Sequence, residues 1–121
     1  MILYVAADLL WSSRIKTTGD KLGTPCRPVR SLEMLEARLN DEPVVGVLLD
    51  LDTPELAFAV LDRLRGPDAT ERDLAIRTIA WGPHVAVDLL ADARQRGCDR
   101  VMTRGQFANE LPEILLQLNA T

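Results

Sequence analysis

Two carboxylates, Asp50 and Asp52, end the most apolar run of the chain, Val44-Val45-Gly46-Val47-Leu48-Leu49, and Thr53-Pro54 follows at once. A near-continuous apolar run of this kind reads as a strand buried on both faces, as in the middle of a parallel sheet. Thr53 as N-cap and Pro54 at the first helical position then start a helix. The acids therefore fall where strand gives way to helix, at the carboxyl edge of the sheet, where open α/β sheets hold their ligands. A carboxylate there can accept a transferred group, ligate a cation or sense a signal, or it can take hydrogen bonds from loop amides. Asp52 can equally sit at the helix entry, where negative charge is mildly stabilising. Asp8 has a similar choice between capping a helix and ligating a metal. His84 is the only histidine and follows the fourth apolar segment. With Asp8 and Asp50 it could complete two carboxylates and an imidazole over one sheet edge, a credible metal site; its alternative is a solvent-facing first turn of a helix. Arg104 can bind an anion or pair with Asp50, and that pair would hold one conformation without a ligand. Ser12 and Ser13 have no adjacent base to activate them and read as helix-surface residues.

The elements that must position these groups alternate along the chain. Residues 2–6 read as a strand, and Asp8 caps a helix to about Lys21 with Leu9, Ile15 and Leu22 on its buried stripe. Gly23 ends it. Residues 24–30 form a weak strand, and Pro25 and Pro28 put it at an edge. Ser31 caps a helix over 32–40 with Leu32, Leu35 and Leu39 at helical spacing. After the central strand, a helix over 54–65 presents Leu56, Val60, Leu61 and Leu64. Residues 68–73 read as a polar loop, 74–81 as the fourth strand, and Gly82-Pro83 as a turn whose proline starts a helix over 84–96. Gly97 ends that helix, and 99–103 is a short fifth strand. Residues 104–107 read as a loop before a last helix over 109–118, with Pro112 tolerated in its first turn. Leu111, Ile114, Leu115 and Leu118 form a mostly buried stripe on it, with some left for a dimer or partner contact. Trp11 and Trp81 read as packing residues, Trp81 being the better placed to cover a crevice.

Strand and helix repeat five times. That pattern predicts an α/β three-layer sandwich of the flavodoxin-like type: a five-stranded parallel sheet in the order 2-1-3-4-5 with helices on both faces and right-handed crossovers. The 121 residues suit one domain, 1–121. A hydrophobic fraction of 47% and a charged fraction of 26% are ordinary for a globular chain. The net charge of −4 speaks against nucleic acid, which favours a basic face. No apolar run approaches the roughly 18 residues of a membrane span, and the apolar start lacks the features of a secretion signal; the expectation is a cytoplasmic protein. Neither GxGxxG nor a Walker loop is present, which argues against a nucleotide site of the familiar kind. Cys26 and Cys98 read as structural thiols, with a disulfide or redox switch as the alternative.

Over essentially its whole length the chain resembles the receiver (CheY-like) domain of bacterial two-component response regulators. Asp50 with Pro54 four residues on looks like the family's phosphoacceptor and its following proline. Gly97-Cys98-Asp99-Arg100-Val101 looks like its helix-end glycine and last strand, and Arg104-Gly105-Gln106-Phe107 stands in place of its Lys-Pro-Phe turn. The chain also departs from that pattern. Ala6 and Ala7 stand where receivers carry an acidic pair that holds Mg²⁺, the receiver Thr or Ser falls near Gly82, and Arg104 replaces the phosphate-contacting lysine. Phosphoryl transfer needs a cation against the charge of the transferring oxygens, and Mg²⁺ favours oxygen ligands including one or two carboxylates. The resemblance thus implies a degenerate, or pseudo-, receiver: a signalling module and not an enzyme. Without an output domain in this chain, it would act on a protein partner or by self-association, a homodimer included. Its pocket would comprise Asp8, Asp50, Asp52, Gly82, His84 and Arg104. Two alternatives stand beside it. One is an active phosphoacceptor, with Asp50 taking the phosphoryl group, Asp8 or Asp52 helping to hold Mg²⁺ and Arg104 on the phosphate. The other is a small metal- or ligand-binding protein or enzyme using Asp8, Asp50, Asp52 and His84.

Overall fold

A computed structural model describes residues 1–120. Five parallel strands lie in the order β2-β1-β3-β4-β5: β1 Ile2–Val5, β2 Cys26–Pro28, β3 Gly46–Asp50, β4 Arg77–Gly82 and β5 Arg100–Thr103. Six helices connect and follow them: α1 Leu9–Leu22, α2 Leu32–Asp41, α3 Pro54–Arg65, α4 Glu71–Ala75, α5 Val87–Gln95 and α6 Arg104–Asn119. The expected order and the flavodoxin-like layering are thus both present. Short β2 lies at the edge, where the missing N–H groups of Pro25 and Pro28 break no ladder on its outer side.

The pleat divides the sheet into two layers. Leu3, Val5, Val47, Leu49 and Ala80 face one core with Leu35, Leu61 and Leu64. Ile2, Tyr4, Leu48, Ile79 and Trp81 face the other with Ile15 of α1 and Phe107, Leu111, Ile114, Leu115 and Leu118 of α6. The whole α6 stripe is therefore committed to the core, and the expectation that part of it serves a partner is overturned. Every residue of β3 is buried, as its apolar run demands. By the two-residue period, Asp50 falls on the Leu48 side, opposite Trp81 in register.

Several boundaries differ from the sequence-based expectation, each for a local reason. Residues 71–75 are helical, not loop, because Thr70 and Asp73 form a reciprocal capping box. Leu74 is consequently an exposed helical residue, and β4 starts at Arg77 instead of 74. Residues 83–86 form a turn closed by the Ala86 amide donating to the Pro83 carbonyl, so α5 starts at Val87 and His84 is not helical. Thr103 and Gln106 build a second capping box, so α6 starts at Arg104 and absorbs the expected loop. Pro112 then lies in mid-helix. It has no N–H to give the carbonyl of Ala108; Arg14 of α1 donates to that oxygen instead at 3.0 Å, tying α1 to α6 and explaining why the proline is tolerated. Leu9, expected on the buried stripe of α1, is 77% exposed, as it precedes the part of the helix that lies on the sheet; Leu32 at the start of α2 is likewise exposed.

Asp73 is fully buried and holds one side of the sandwich together. It accepts from the Thr70 amide, from Arg63 at 2.7 Å and from Arg72, while Arg63 also reaches Glu36 of α2. Burial pushes the Asp73 carboxyl upward, but the Thr70 amide and the two guanidinium groups outweigh it and hold the group well below the usual carboxylate range. Removing one partner of such a group leaves a buried charge uncompensated. Arg63→Met is expected to lower the free energy of unfolding by roughly 2–4 kcal/mol in urea denaturation at neutral pH; a loss within about 0.5 kcal/mol, the range of ordinary surface substitutions, would contradict this account.

Candidate functional site

The site is assembled by three loops at the carboxyl edge, from β1, β3 and β4, together with the start of α6. Asp50 ends β3 and is 1% exposed. Its Oδ1 accepts from the Asp52 amide at 2.9 Å, and its Oδ2 is buried with no hydrogen-bond partner. The backbone carbonyl of Asp50 accepts from the Thr53 amide and the Thr53 hydroxyl at 3.1 and 3.0 Å. Thr53 therefore occupies the N-cap of α3 without capping it through its side chain: the hydroxyl turns back to β3, contrary to the expected cap.

Desolvation dominates the electrostatics of Asp50. Burial pushes its pKa up to about 6; the Asp52 amide pulls it down, the Asp52 charge pushes it up, Arg104 pulls down and Asp8 pushes up, in decreasing order. No cation bonds to it. The expected Arg104–Asp50 pair is not formed; Arg104 bonds instead to Asp52 Oδ2 at 2.5 Å. The reason is positional. Asp50 points into the layer beneath the edge, Asp52 lies in the loop beyond it, and Arg104 is the first residue of α6. The Arg104–Asp52 pair is about half exposed on both sides, a setting in which ion pairs contribute at most about 1 kcal/mol.

Asp8 is the N-cap of α1, its Oδ1 accepting from the Leu10 amide at 2.7 Å and the Trp11 amide at 3.4 Å. Gly82 is buried at the end of β4, where an added Cβ would meet Leu51 and Leu90 at ordinary contact distances of 3.4 and 3.6 Å. His84 is exposed in the turn after it. Among the described residues, no group of three or more His, Cys, Asp or Glu side chains is arranged to hold a metal ion, so neither the Asp8–Asp50–His84 set nor the three-aspartate set is formed. The donor set also does not fit Mg²⁺: Asp8 is engaged by helix amides, Asp52 by a guanidinium, and Ala6 and Ala7 offer methyl groups at the end of β1. Cys26 and Cys98 are both free, and burial pushes both thiols up, consistent with inert packing residues and not with a reactive thiolate.

Beside Asp50, on the same face of the sheet, lies an aromatic cluster that the sequence did not reveal as a unit. Trp81 is fully buried and stacks on Phe107 at 3.9 Å between ring centroids and 3° between planes. Trp11 leans on both rings at 5.4 Å. Trp81 thus stands beside Asp50 on the neighbouring strand, packed in the core, and does not cover a crevice; its Nε1 is buried without a partner. The sequence signal that leads to Phe107 is the Thr103-x-x-Gln106 box, which starts α6 early enough to lay Phe107 on the sheet. No helix among the described residues is long and apolar enough to cross a membrane.

No protein-family model matches the chain, and no curated protein matches it. Solved structures do. The receiver domain of NtrX from Brucella abortus superposes with a TM-score of 0.77 at 17% identity, covering 100% of this chain and 99% of that one. The receiver domain of a sensor histidine kinase from Pseudomonas aeruginosa, solved with a magnesium ion in its active-site cleft, gives 0.75 at 18% identity over 99% and 97%. The beryllofluoride-activated NtrC4 receiver domain dimer gives 0.67 at 15% identity over 97% of each chain. Similarity at these identities establishes the shared fold: the chain folds as receiver domains do.

Because the folded-state pKa of Asp50 is raised above its unfolded value, the native state binds its proton more tightly. The penalty for burying the charge is absent below about pH 4, grows as pH rises towards 6, and is fully present above that. Asp50→Asn keeps the shape and removes the charge. It is expected to be more stable than wild type at pH 7, by about 3 kcal/mol, with the difference shrinking to near zero at pH 4 in urea denaturation. A variant less stable than wild type at pH 7 would show that the Asp50 carboxylate is stabilised and not penalised.

Proposed function

We propose that this chain is a receiver-type signalling module of the two-component kind that works by protein–protein contact, without efficient Mg²⁺-dependent phosphorylation and without enzymatic turnover. One observation carries the proposal. The carboxylate in the phosphoacceptor position, Asp50, is buried with Oδ2 unpartnered, while the side chains that would have to share a cation with it are spent elsewhere. Phosphoryl transfer leans on a cation to offset the charge of the transferring oxygens, and the raised pKa of Asp50 expresses the same lack of positive charge.

The module then signals through its surface. Among the described residues seven large hydrophobic side chains are exposed, and five of them, Leu9, Leu10, Leu32, Val85 and Val87, lie where β1, β2 and β4 hand over to the following helices. Apolar exposure gathered on one edge favours a protein partner there; a second copy of the chain is one such partner, as the NtrC4 receiver forms a dimer.

The second reading is an active phosphoacceptor with an altered pocket. It is favoured by the free Oδ2 of Asp50 and by Arg104, which lies near enough to lower the Asp50 pKa and could turn from Asp52 to a phosphoryl oxygen. Incubation with acetyl phosphate and Mg²⁺, followed by intact-mass spectrometry, separates the two. The proposal expects no phosphoryl adduct above background. A stoichiometric adduct that disappears in Asp50→Asn would replace the proposal with the second reading.

A further inference from the structure

A concavity opens at the same edge, lined by Ala6, Leu9 and Ser12 on the side of the sheet that Asp50 faces and by Val29 and Leu56 on the other. The chain leaves β1 towards β2 and leaves β3 towards β4, so the crevice between the ends of β1 and β3 is the point where the connections diverge, the usual place for a ligand in such sheets. About 490 Å³ of space opens there, continuous with solvent. Ala6 and Ala7 give it breadth by contributing only methyl groups, and Val29 and Leu56 supply apolar walls.

The polar groups around the crevice specify a ligand chemistry. Arg30 is the only charged side chain lining it; it is exposed, and its charge also acts on Tyr4. The other two polar side chains have spent their protons. The Ser12 hydroxyl donates to the carbonyls of Asp8 and Leu9 at 3.1 and 3.3 Å, and the Thr53 hydroxyl donates to that of Asp50 at 3.0 Å. Each can therefore only accept. A guest must bring negative charge for Arg30, an N–H or O–H for Ser12 or Thr53, and an apolar body between them.

We infer that the crevice between β1 and β3 is a binding site for a small organic acid: an apolar body carrying one carboxylate and one N–H or O–H donor. The carboxylate pairs with the Arg30 guanidinium, whose planar fork matches it in a bidentate bond. The apolar body lies on Ala6, Ala7, Val29 and Leu56, and the donor faces Ser12 or Thr53. The site is independent of phosphorylation, since no atom of it belongs to the Asp50 carboxyl. It adjoins that residue through Thr53, whose hydroxyl bonds the Asp50 backbone, so an occupant can reach the β3–α3 loop directly.

Indole-3-acetate carries all three features and serves as the probe, titrated into ¹⁵N-labelled protein while amide shifts are followed by NMR. Saturable shifts are expected at Ala6, Ala7, Arg30 and Leu56. Indole-3-acetamide, which lacks the charge, and the Arg30→Gln variant are each expected to bind roughly tenfold more weakly, the worth of one charged hydrogen bond. Arg30 is exposed, and the dispersion of the same spectra reports whether the variant is folded. The Asp50→Asn variant is expected to bind the probe as wild type does, which separates this inference from the phosphorylation question. Shifts that do not saturate, that centre elsewhere, or that are indifferent to both the amide and Arg30→Gln would overturn it.

Discussion

A buried carboxylate without a counter-cation is the constraint around which the carboxyl edge is arranged. Asp50 cannot leave the layer it occupies. It is the last residue of the most buried strand, its backbone carbonyl is held twice by Thr53, and its side chain is fixed by the period of the strand beside the Trp81–Phe107 stack. Burial without a charge partner raises the cost of ionising such a group. The neighbouring groups relieve it only in part: the Asp52 amide and Arg104 favour the charged form, but the Asp52 and Asp8 carboxylates oppose it, and Arg104 acts at a distance because it is bonded to Asp52. The carboxyl edge therefore carries a buried carboxylate whose nearest guanidinium is bonded to another acid.

The scaffold that imposes this geometry is held by polar contacts as much as by its two cores. On one side of the sheet the Asp73 cluster links α2, α3 and α4. Arg65 reaches along the same side to the Ile76 carbonyl and to Asp99, fastening α3 to the start of β4 and the loop before β5. On the other side Arg14 satisfies the carbonyl that Pro112 leaves without its helical donor. α6 is therefore rigidly placed despite its proline, and with it Phe107 and Arg104. A glycine is needed at one of these joints: Gly97 has φ of +92°, and a Cβ there would also press on Arg65 at 3.3 Å.

Most of the fold could be read from the sequence because the strands carry the signal of parallel burial and the helices carry caps. The order of elements, the edge position of β2, the termination of α1 at Gly23 and the Asp8 and Ser31 caps all follow from local chemistry. The misreadings also have a local origin. Thr70-x-x-Asp73 and Thr103-x-x-Gln106 are capping boxes that read as loop when polarity alone is weighed. Leu9 fits a helical stripe in sequence but lies before the helix meets the sheet. The candidate site was legible in part: Asp50 and its position at the edge follow from the apolar run. Its electrostatics do not. Whether Arg104 meets Asp50 or Asp52 depends on where α6 begins and on which side of the sheet each acid faces, and one-residue differences in register decide both.

The central claim, that Asp50 is a buried carboxyl with no resident positive charge and no fitting cation site, is tested most directly by a ¹³C-carboxyl NMR titration of Asp50 with and without excess Mg²⁺. The account predicts a midpoint near 6 that Mg²⁺ leaves in place. A midpoint near that of a free carboxyl, or one that Mg²⁺ lowers by about a unit or more, the shift expected of a nearby cation, would contradict it.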